Sequence, residues 1–373
     1  MVEIREVKTD KELRSFINFQ YKLYRNNPYF VPPLYFDEYK TLHWKKNPAF
    51  SYCKARFWTA WQDGKMVGRI AGIYNPKYIE KWKNRHLRFG WVDFIDDPEV
   101  SRRLFETVET WAKELGMDAV VGPMGFTDMD KEGLLVEGFE ELGTLPMIYN
   151  YPYYPEHIEN LGYKKDTDWL EFEIVVPREI PEKILRINDL VLKRSGLRLL
   201  DAKKSSDIKP YARGVFYLIN RAYSHLYGFV ELTDEQIDIY INQYFSFINP
   251  DYTKIVLDKD DKVVAFGISM PSLSRALQKS QGRLFPFGFY HILRALKKPK
   301  SIDLYLVAVA PEYQGRGINS ILMTEITRSC IKDGILTAET SGELEDNKAI
   351  QDFWKHYEKR QHKRRRSFIK SLS

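Results

Sequence analysis

Pro311-Glu312-Tyr313-Gln314-Gly315-Arg316-Gly317 is the stretch of this sequence whose residue types point most directly to chemistry. It follows an apolar run, Leu304-Tyr305-Leu306-Val307-Ala308-Val309, that reads as a strand, and it precedes a segment whose pattern predicts a helix over 318–332. A strand, a glycine turn and a helix start together make an anion site. The amides of a first helical turn have no partners within the helix, and the helix dipole makes that end positive. Glycine lets a phosphate approach the backbone with no Cβ in the way. Two glycines alone fit a plain strand-to-helix turn equally well. His225 and His291 are candidate bases, each among aromatic residues, where a hydrogen-bonded structural histidine is the commoner outcome. Cys53 and Cys330 stand in different halves without metal-ligand spacing, so no metal is expected.

The elements that must position these residues occur twice. In the first half, Phe57–Trp61 and Met66–Ala71 flank Gln62-Asp63-Gly64-Lys65, and Asp-Gly between apolar runs is a hairpin signal. In the second half, Thr253–Leu257 and Val263–Ile268 flank an acidic turn over 258–262. Each hairpin is followed by another strand (Gly90–Ile95, Leu304–Val309), a Pro-Glu pair (98–99, 311–312) and a helix (101–115, 318–332) that ends near Gly116 or Gly334. A further strand follows each, over 118–121 and 335–339. The pattern predicts an α/β chain with a mixed sheet in each half. Val175-Val176-Pro177-Arg178-Glu179-Ile180-Pro181 reads as the linker, which sets domains at 1–177 and 185–373. Only the second copy carries the glycine turn; the first has Pro98-Glu99-Val100-Ser101-Arg102-Arg103 in its place.

The segment Val307–Gly317 resembles the acyl-CoA-binding motif of the GNAT superfamily, whose core is Gln/Arg-x-x-Gly-x-Gly/Ala, with Asn319 departing from the small residue at the last position. The resemblance implies two tandem GNAT-like domains, the first without a pyrophosphate loop. Acetyl-CoA or a longer acyl-CoA would be the co-substrate. The backbone of Val307, Ala308 and Val309 would pair with its pantetheine arm, and the amides of Gln314, Gly315, Arg316, Gly317, Ile318 and Asn319 would hold the pyrophosphate. Asn347-Lys348-Ala349-Ile350 is similar to a second family pattern, Asn-x-x-Ala-Ile-x-x-Tyr, but Phe353 stands where the family's general-acid tyrosine is expected. Tyr357, one helical turn on, would substitute as acid. Asp303 falls where some members of the family carry a basic glutamate, and would take the proton from the amine, since an ammonium has no lone pair. The implied activity is N-acyl transfer by direct attack of an amine on the thioester. A non-catalytic acyl-CoA-binding module and an aminoacyl-tRNA-dependent transferase are the alternatives.

On the acceptor side, Ala222–Phe229, with His225 and Tyr227, precedes the strands of the second half, and His291 lies in an aromatic, basic insertion. Residues 285–298 of that insertion fit peripheral membrane contact, a roof over an apolar tunnel, or simple packing. With Asn27–Leu34 and Val67-Gly68-Arg69-Ile70 in the first half, nearly the whole chain resembles a branch of bacterial double-GNAT proteins, some of them linked to long-chain amino bases, so a small-molecule or lipid amine is the expected partner. The 373 residues, 44 % hydrophobic and 14 % aromatic, suffice for two cores. The net charge of +6 gathers partly in Lys359–Lys370, a run that reads as a solvated basic strand or tail, or as a contact for nucleic acid, a membrane surface or the phosphates of a cofactor. No nucleic-acid-binding signature accompanies it, so a nucleic-acid partner is not expected. No apolar signal core or membrane-length run occurs, which predicts a cytoplasmic protein. Oligomeric state is not legible.

Overall fold

The computed structural model describes residues 1–372. The strands of the first half are β1 (Glu3–Glu6), β2 (Lys54–Gln62), β3 (Lys65–Tyr74), β4 (His86–Phe94), β5 (Ala119–Gly122), β6 (Leu134–Glu137) and β7 (Lys164–Val175). Those that follow are β8 (Arg198–Leu199), β9 (Thr253–Leu257), β10 (Val263–Pro271), β11 (Ser301–Val309), β12 (Thr337–Thr340), β13 (Glu343–Leu344) and β14 (Lys359–Ser371). They join in one continuous sheet in the order β1-β2-β3-β4-β5-β14-β7-β12-β11-β10-β9-β8, with β6 also on β14 and β13 on β7. Both halves repeat one topology. β2, β3 and β4 are antiparallel and β4 pairs parallel with β5; β9, β10 and β11 are antiparallel and β11 pairs parallel with β12.

Local chemistry sets these elements. Asp63 and Gly64 both take positive φ, 50° and 74°, in the two-residue turn that joins β2 to β3. Between β9 and β10, the Asp258 carboxylate accepts from the amides of Asp260 and Lys262, both at 2.9 Å. The helix expected from residue 101 begins earlier, at Pro98, because the proline sits at the first helical position and Asp97 caps the Glu99 amide at 2.8 Å. Its buried face, Val100, Leu104, Phe105 and Val108, packs on β2–β5. The second Pro-Glu pair behaves differently. Pro311–Tyr313 makes a single 3-10 turn, the chain extends at Gln314, and the helix restarts at Ile318. That helix, Ile318–Lys332, packs Ile318, Ile321 and Leu322 on β9–β11 and Met323, Ile326 and Cys330 on β7, β11 and β12.

The basic run Lys359–Lys370 is β14, and it lies between β5 and β7. Its charges are neutralised in place. Arg360 pairs with Glu141 and Glu173, Lys363 with Glu171 and Glu339, Arg364 with Glu137 and Asp168, and Arg365 with Glu171. Arg366 pairs with Asp168, and Lys370 with Glu109. Lys363 and Arg365 are each 1 % exposed, so the expectation of a solvated run is corrected: partner acids on β7 let these cations sit inside. Among the described residues, no helix is long and apolar enough to cross a membrane.

Candidate active site

The glycine turn hangs between β11 and the helix Ile318–Lys332. Gly315 and Gly317 adopt φ of 72° and 81°, a left-handed geometry that glycine takes without strain. A Cβ added at Gly315 would meet no atom within 4 Å, so the approach to this backbone is open. Gln314 donates from Nε2 to the Val309 carbonyl at 3.1 Å and ties the turn to the strand. Arg316 lies over the Tyr313 ring at 5.5 Å. Among the described residues, the amides of Gly315, Arg316, Gly317, Ile318 and Asn319 donate to no protein group, and no side chain caps the helix. These residues fit a pyrophosphate, which would meet free amides at the positive end of a 15-residue helix.

Next to the turn the sheet splits. β11 pairs with β12 only from Ser301 to Leu304, and Ser341 closes the junction by donating its amide to the Leu304 carbonyl at 3.0 Å. Beyond Leu304 the β12 side of β11 has no neighbouring strand. Ala310 donates its amide to Val264 on β10 at 2.8 Å, so strand alternation turns the amides of Val309 and Val307 toward the open edge. Tyr223 Oη donates to the Val307 carbonyl on that edge at 2.9 Å. The β10–β11 register also shifts here: Ile268 faces Leu306 and Ser269 faces Leu304, which leaves Tyr305 as the extra residue of a bulge.

Asp303 stands at the root of the split, directly opposite Glu339 on β12. Its neighbours Ile302 and Leu304 point into the apolar layer under Met323 and Ile326, so Asp303 faces the other side of the sheet. The residue is 3 % exposed and its Oδ2 has no protein hydrogen-bond partner. Burial pushes its carboxyl up to about 8, and the adjacent Glu339 adds to the rise while the Ser272 hydroxyl and Lys363 oppose it. Glu339 accepts from His362 Nε2 at 2.9 Å and from Lys363 Nζ, and Lys363 reaches Glu171 at 3.4 Å. Burial would raise Glu171 too, but Arg365 and Lys363 hold it below its ordinary range. One carboxyl, Asp303, is therefore left neutral and unpaired beside acids that are fully partnered. The Tyr305 hydroxyl is also buried without a partner; burial holds its phenol protonated, and any charge on Asp303 adds to that.

Residues of the first half wall this side of the sheet. Thr127 Oγ1 and the Tyr240 hydroxyl lie 3.1 Å apart, Arg88 donates to the Gly228 carbonyl at 2.6 Å, and Trp82 donates to the Phe229 carbonyl at 3.1 Å. Burial lifts Asp128 to about 7 and Asp130 to about 6. Burial raises the Tyr244 phenol as well, and Asp37 and Asp130 add to it, so an acidic wall adjoins the tyrosines.

Other residues singled out from the sequence fall elsewhere. The helix that starts at the Asn347 cap stops at Phe353, and Tyr357 follows in extended conformation rather than one turn further on the same helix. Tyr357 lines an apolar pocket with Ile302, Leu304, Met323 and Trp354, on the opposite face of the sheet from Asp303. His225 is exposed in the turn after the helix Ala212–Ala222. Tyr227 donates to Asp166 and stands edge-on to Trp169 at 5.8 Å. His291 sits half-buried in the insertion beside the Tyr290 ring. Neither histidine ranks among the charges that bear on Asp303, which are Glu339, Lys363 and Glu171. Tyr305, Glu339 and Glu171 were not singled out from the sequence, and Lys363 was read only as one charge of the basic run Lys359–Lys370. The one available signal was three charged residues spaced among apolar ones, Glu171, Glu173 and Glu339, on strands that read as core.

Residues 215–357 match the family model described as acetyltransferase (GNAT) family. The chain is 28 % identical to Protein YghO of Escherichia coli strain K12, over 99 % of this chain and 95 % of that protein. It is also 28 % identical to a bacterial ceramide synthase of Caulobacter vibrioides, over 92 % of this chain and 91 % of that protein. Among solved structures, a tandem GNAT protein from the clavulanic acid biosynthesis pathway superposes with a TM-score of 0.57 at 11 % identity, covering 100 % of this chain and 99 % of that one.

Proposed function

We propose that this GNAT-type N-acyltransferase, whose family domain spans residues 215–357, transfers the acyl group of an acyl-CoA to the primary amine of a lipophilic acceptor. The observation that carries the reading is the split between β11 and β12, with a free glycine-turn helix end on one side and an unpaired buried carboxyl at its root. The amides of Gly315 to Asn319 hold the pyrophosphate, and the open edge of β11 at Val307 and Val309 takes the pantetheine as a further strand would be taken. Asp303 in its ionised form accepts a proton from the incoming ammonium; burial makes it a stronger base than an ordinary carboxylate. The freed nitrogen lone pair forms the C–N bond at the thioester carbonyl carbon. The Val309 amide stabilises the charge that develops on the carbonyl oxygen. The C–S bond then breaks, coenzyme A leaves as a thiolate that is protonated by the Tyr305 hydroxyl, and the Tyr305 oxygen takes up the second proton from the new amide nitrogen. Tyr305, on the side of Asp303, is the proposed donor to that sulfur, in place of Tyr357.

The lipophilic acceptor is supported by the Caulobacter relative, named a ceramide synthase, and by the part-buried tyrosines Tyr240 and Tyr305 on the Asp303 side of the sheet. The neutralised state of β14 weighs against an RNA-bound acyl donor, because almost no cation of that strand is left for phosphate.

Thermal unfolding with acetyl-, medium- and long-chain acyl-CoA tests the reading. A ligand at a hundred times its Kd stabilises the native state by about 2.7 kcal/mol. No rise in Tm with any chain length would refute acyl-CoA binding. A rise without product from either short amines or long-chain amino bases would leave a binding module only.

A further inference from the structure

The insertion between β10 and β11 presents a surface that the transfer reaction does not use. Its two helices, Ser274–Ser280 and Gly288–Lys297, are anchored from below. Leu273, Leu277 and Ile292 pack on Val31 and Leu34. Gln278 donates to the carbonyls of Pro28 and Phe30, at 2.8 and 3.0 Å, and the Tyr35 amide donates to Gly282. This firm seat makes the outer face unexpected. Phe285, Phe287, Phe289, Tyr290 and Leu293 are 78, 73, 46, 56 and 51 % exposed. They are five of the twelve exposed large apolar side chains among the described residues, and they fall within nine positions of one another. Isolated exposed apolar residues are ordinary, whereas a contiguous aromatic patch marks a contact surface.

The charge around the patch identifies its partner. From Pro271 to Ile302 there is no Asp or Glu and there are seven Lys or Arg. The chain as a whole carries +6, so everything outside this segment sums to −1 (6 minus 7). Arg294, Lys297, Lys298 and Lys300, next to the aromatic face, are exposed, and among the described residues none of them forms an ion pair. The cations of β14, by contrast, are almost all matched by acids. Aromatic rings for an acyl boundary and unpaired cations for phosphate headgroups belong together on one kind of partner, a lipid bilayer with negative charge.

We propose that the Phe285–Lys298 face docks the protein on anionic lipid bilayers. The geometry gives docking a use. The insertion leaves β10 at Ser272, whose amide donates to the Ser301 carbonyl at 2.9 Å, two residues before Asp303. The patch therefore hangs from the strand ends next to the root of the split, where a lipophilic amine drawn from the bilayer would be used. That last step rests on the acceptor reading above; bilayer docking does not.

The test is sedimentation of the full chain with extruded vesicles of phosphatidylcholine alone or mixed with phosphatidylglycerol. The wild type is expected to pellet with the mixed vesicles, more weakly with phosphatidylcholine, and to be released by high salt. Phe285→Ser with Phe287→Ser is expected to lower partitioning at least about tenfold. Arg294→Glu with Lys297→Glu is expected to abolish the preference for phosphatidylglycerol. All four positions are exposed, so Tm should stay at the wild-type value and report a folded variant. No pelleting of the wild type with mixed vesicles overturns the proposal, as does equal pelleting of the serine variant. Self-association that the serine variant abolishes, without vesicle binding, reassigns the face to a second copy of the chain. Activity on lipid amines without pelleting sinks docking alone; pelleting without such activity sinks the acceptor reading alone.

Discussion

Asp303→Asn separates catalysis from stability in a way that follows from the position of one carboxyl. Asparagine keeps the shape and removes both the charge and the proton-accepting oxygen pair. Loss of a general base typically lowers the rate by about 10²–10⁴-fold, and kcat/KM for an amine acceptor is expected to fall by that amount. In the wild type, kcat/KM should climb with pH up to about 8, as the carboxyl ionises, and the variant should lack this limb. Stability should move the other way. The folded carboxyl titrates near about 8 against an ordinary 3.8. A group raised on folding contributes its full stabilisation below its unfolded pKa and loses it as pH rises through the folded one. At pH 7 the folded carboxyl retains a proton that the unfolded chain has released. At about 1.4 kcal/mol per unit over roughly three units, this sets a ceiling of roughly 4 kcal/mol on the penalty. The asparagine side chain escapes it, so the variant should be more stable by about 1–3 kcal/mol near pH 8 and by much less near pH 4. Urea unfolding across that range, paired with initial rates, measures both effects. A variant that keeps its rate within threefold (~0.7 kcal/mol), or whose stability gain does not grow with pH, would refute the reasoning.

Three further outcomes are expected. Gly315→Asp places a carboxylate at the open turn, and should abolish the rise in Tm on adding acyl-CoA while costing about 1 kcal/mol without ligand because of the left-handed φ of 72°. Lys363→Met leaves Glu171 and Glu339 without their shared cation and should destabilise the fold by about 3–5 kcal/mol in denaturant titrations. Arg360→Ala, which removes exposed pairs with Glu141 and Glu173, should change stability by less than about 1 kcal/mol.

The repeated hairpin, strand, helix and strand were legible because each is marked by local chemistry. Asp63-Gly64 demands positive φ at two positions, and Gly116 and Gly334 both end helices with φ of 69°. The glycine turn was legible for the same reason: Gly315 and Gly317 interrupt what Pro98 begins directly in the other copy. The neighbourhood of Asp303 was not. Glu339 meets Asp303 only through the parallel register of β11 with β12, and Lys363 meets Glu171 only because β14 lies against β7. These pairings join residues 36 and 192 positions apart, and nothing in a local window records them. Lys363 and Arg365 also disguise their strand, since buried cations read as a solvated face until their acids are known. Tyr357 leaves the expected helix for a local reason. The helix unwinds at Phe353 into a 3-10 turn, and helical spacing no longer applies four residues on.

The insertion of β14 between β5 and β7 bears on how the chain reaches this state. On the ribosome, the leading half can make its hairpin and helix early, yet it keeps two bare edges until the polypeptide through Ser371 has emerged. The halves must then knit together in one late, long-range step, the kind of closure that slows folding and leaves strands open to wrong partners meanwhile. Expression at low temperature or with a holding chaperone should raise the soluble yield, and a stop codon placed before Lys359 should yield insoluble chain rather than a free-standing leading half.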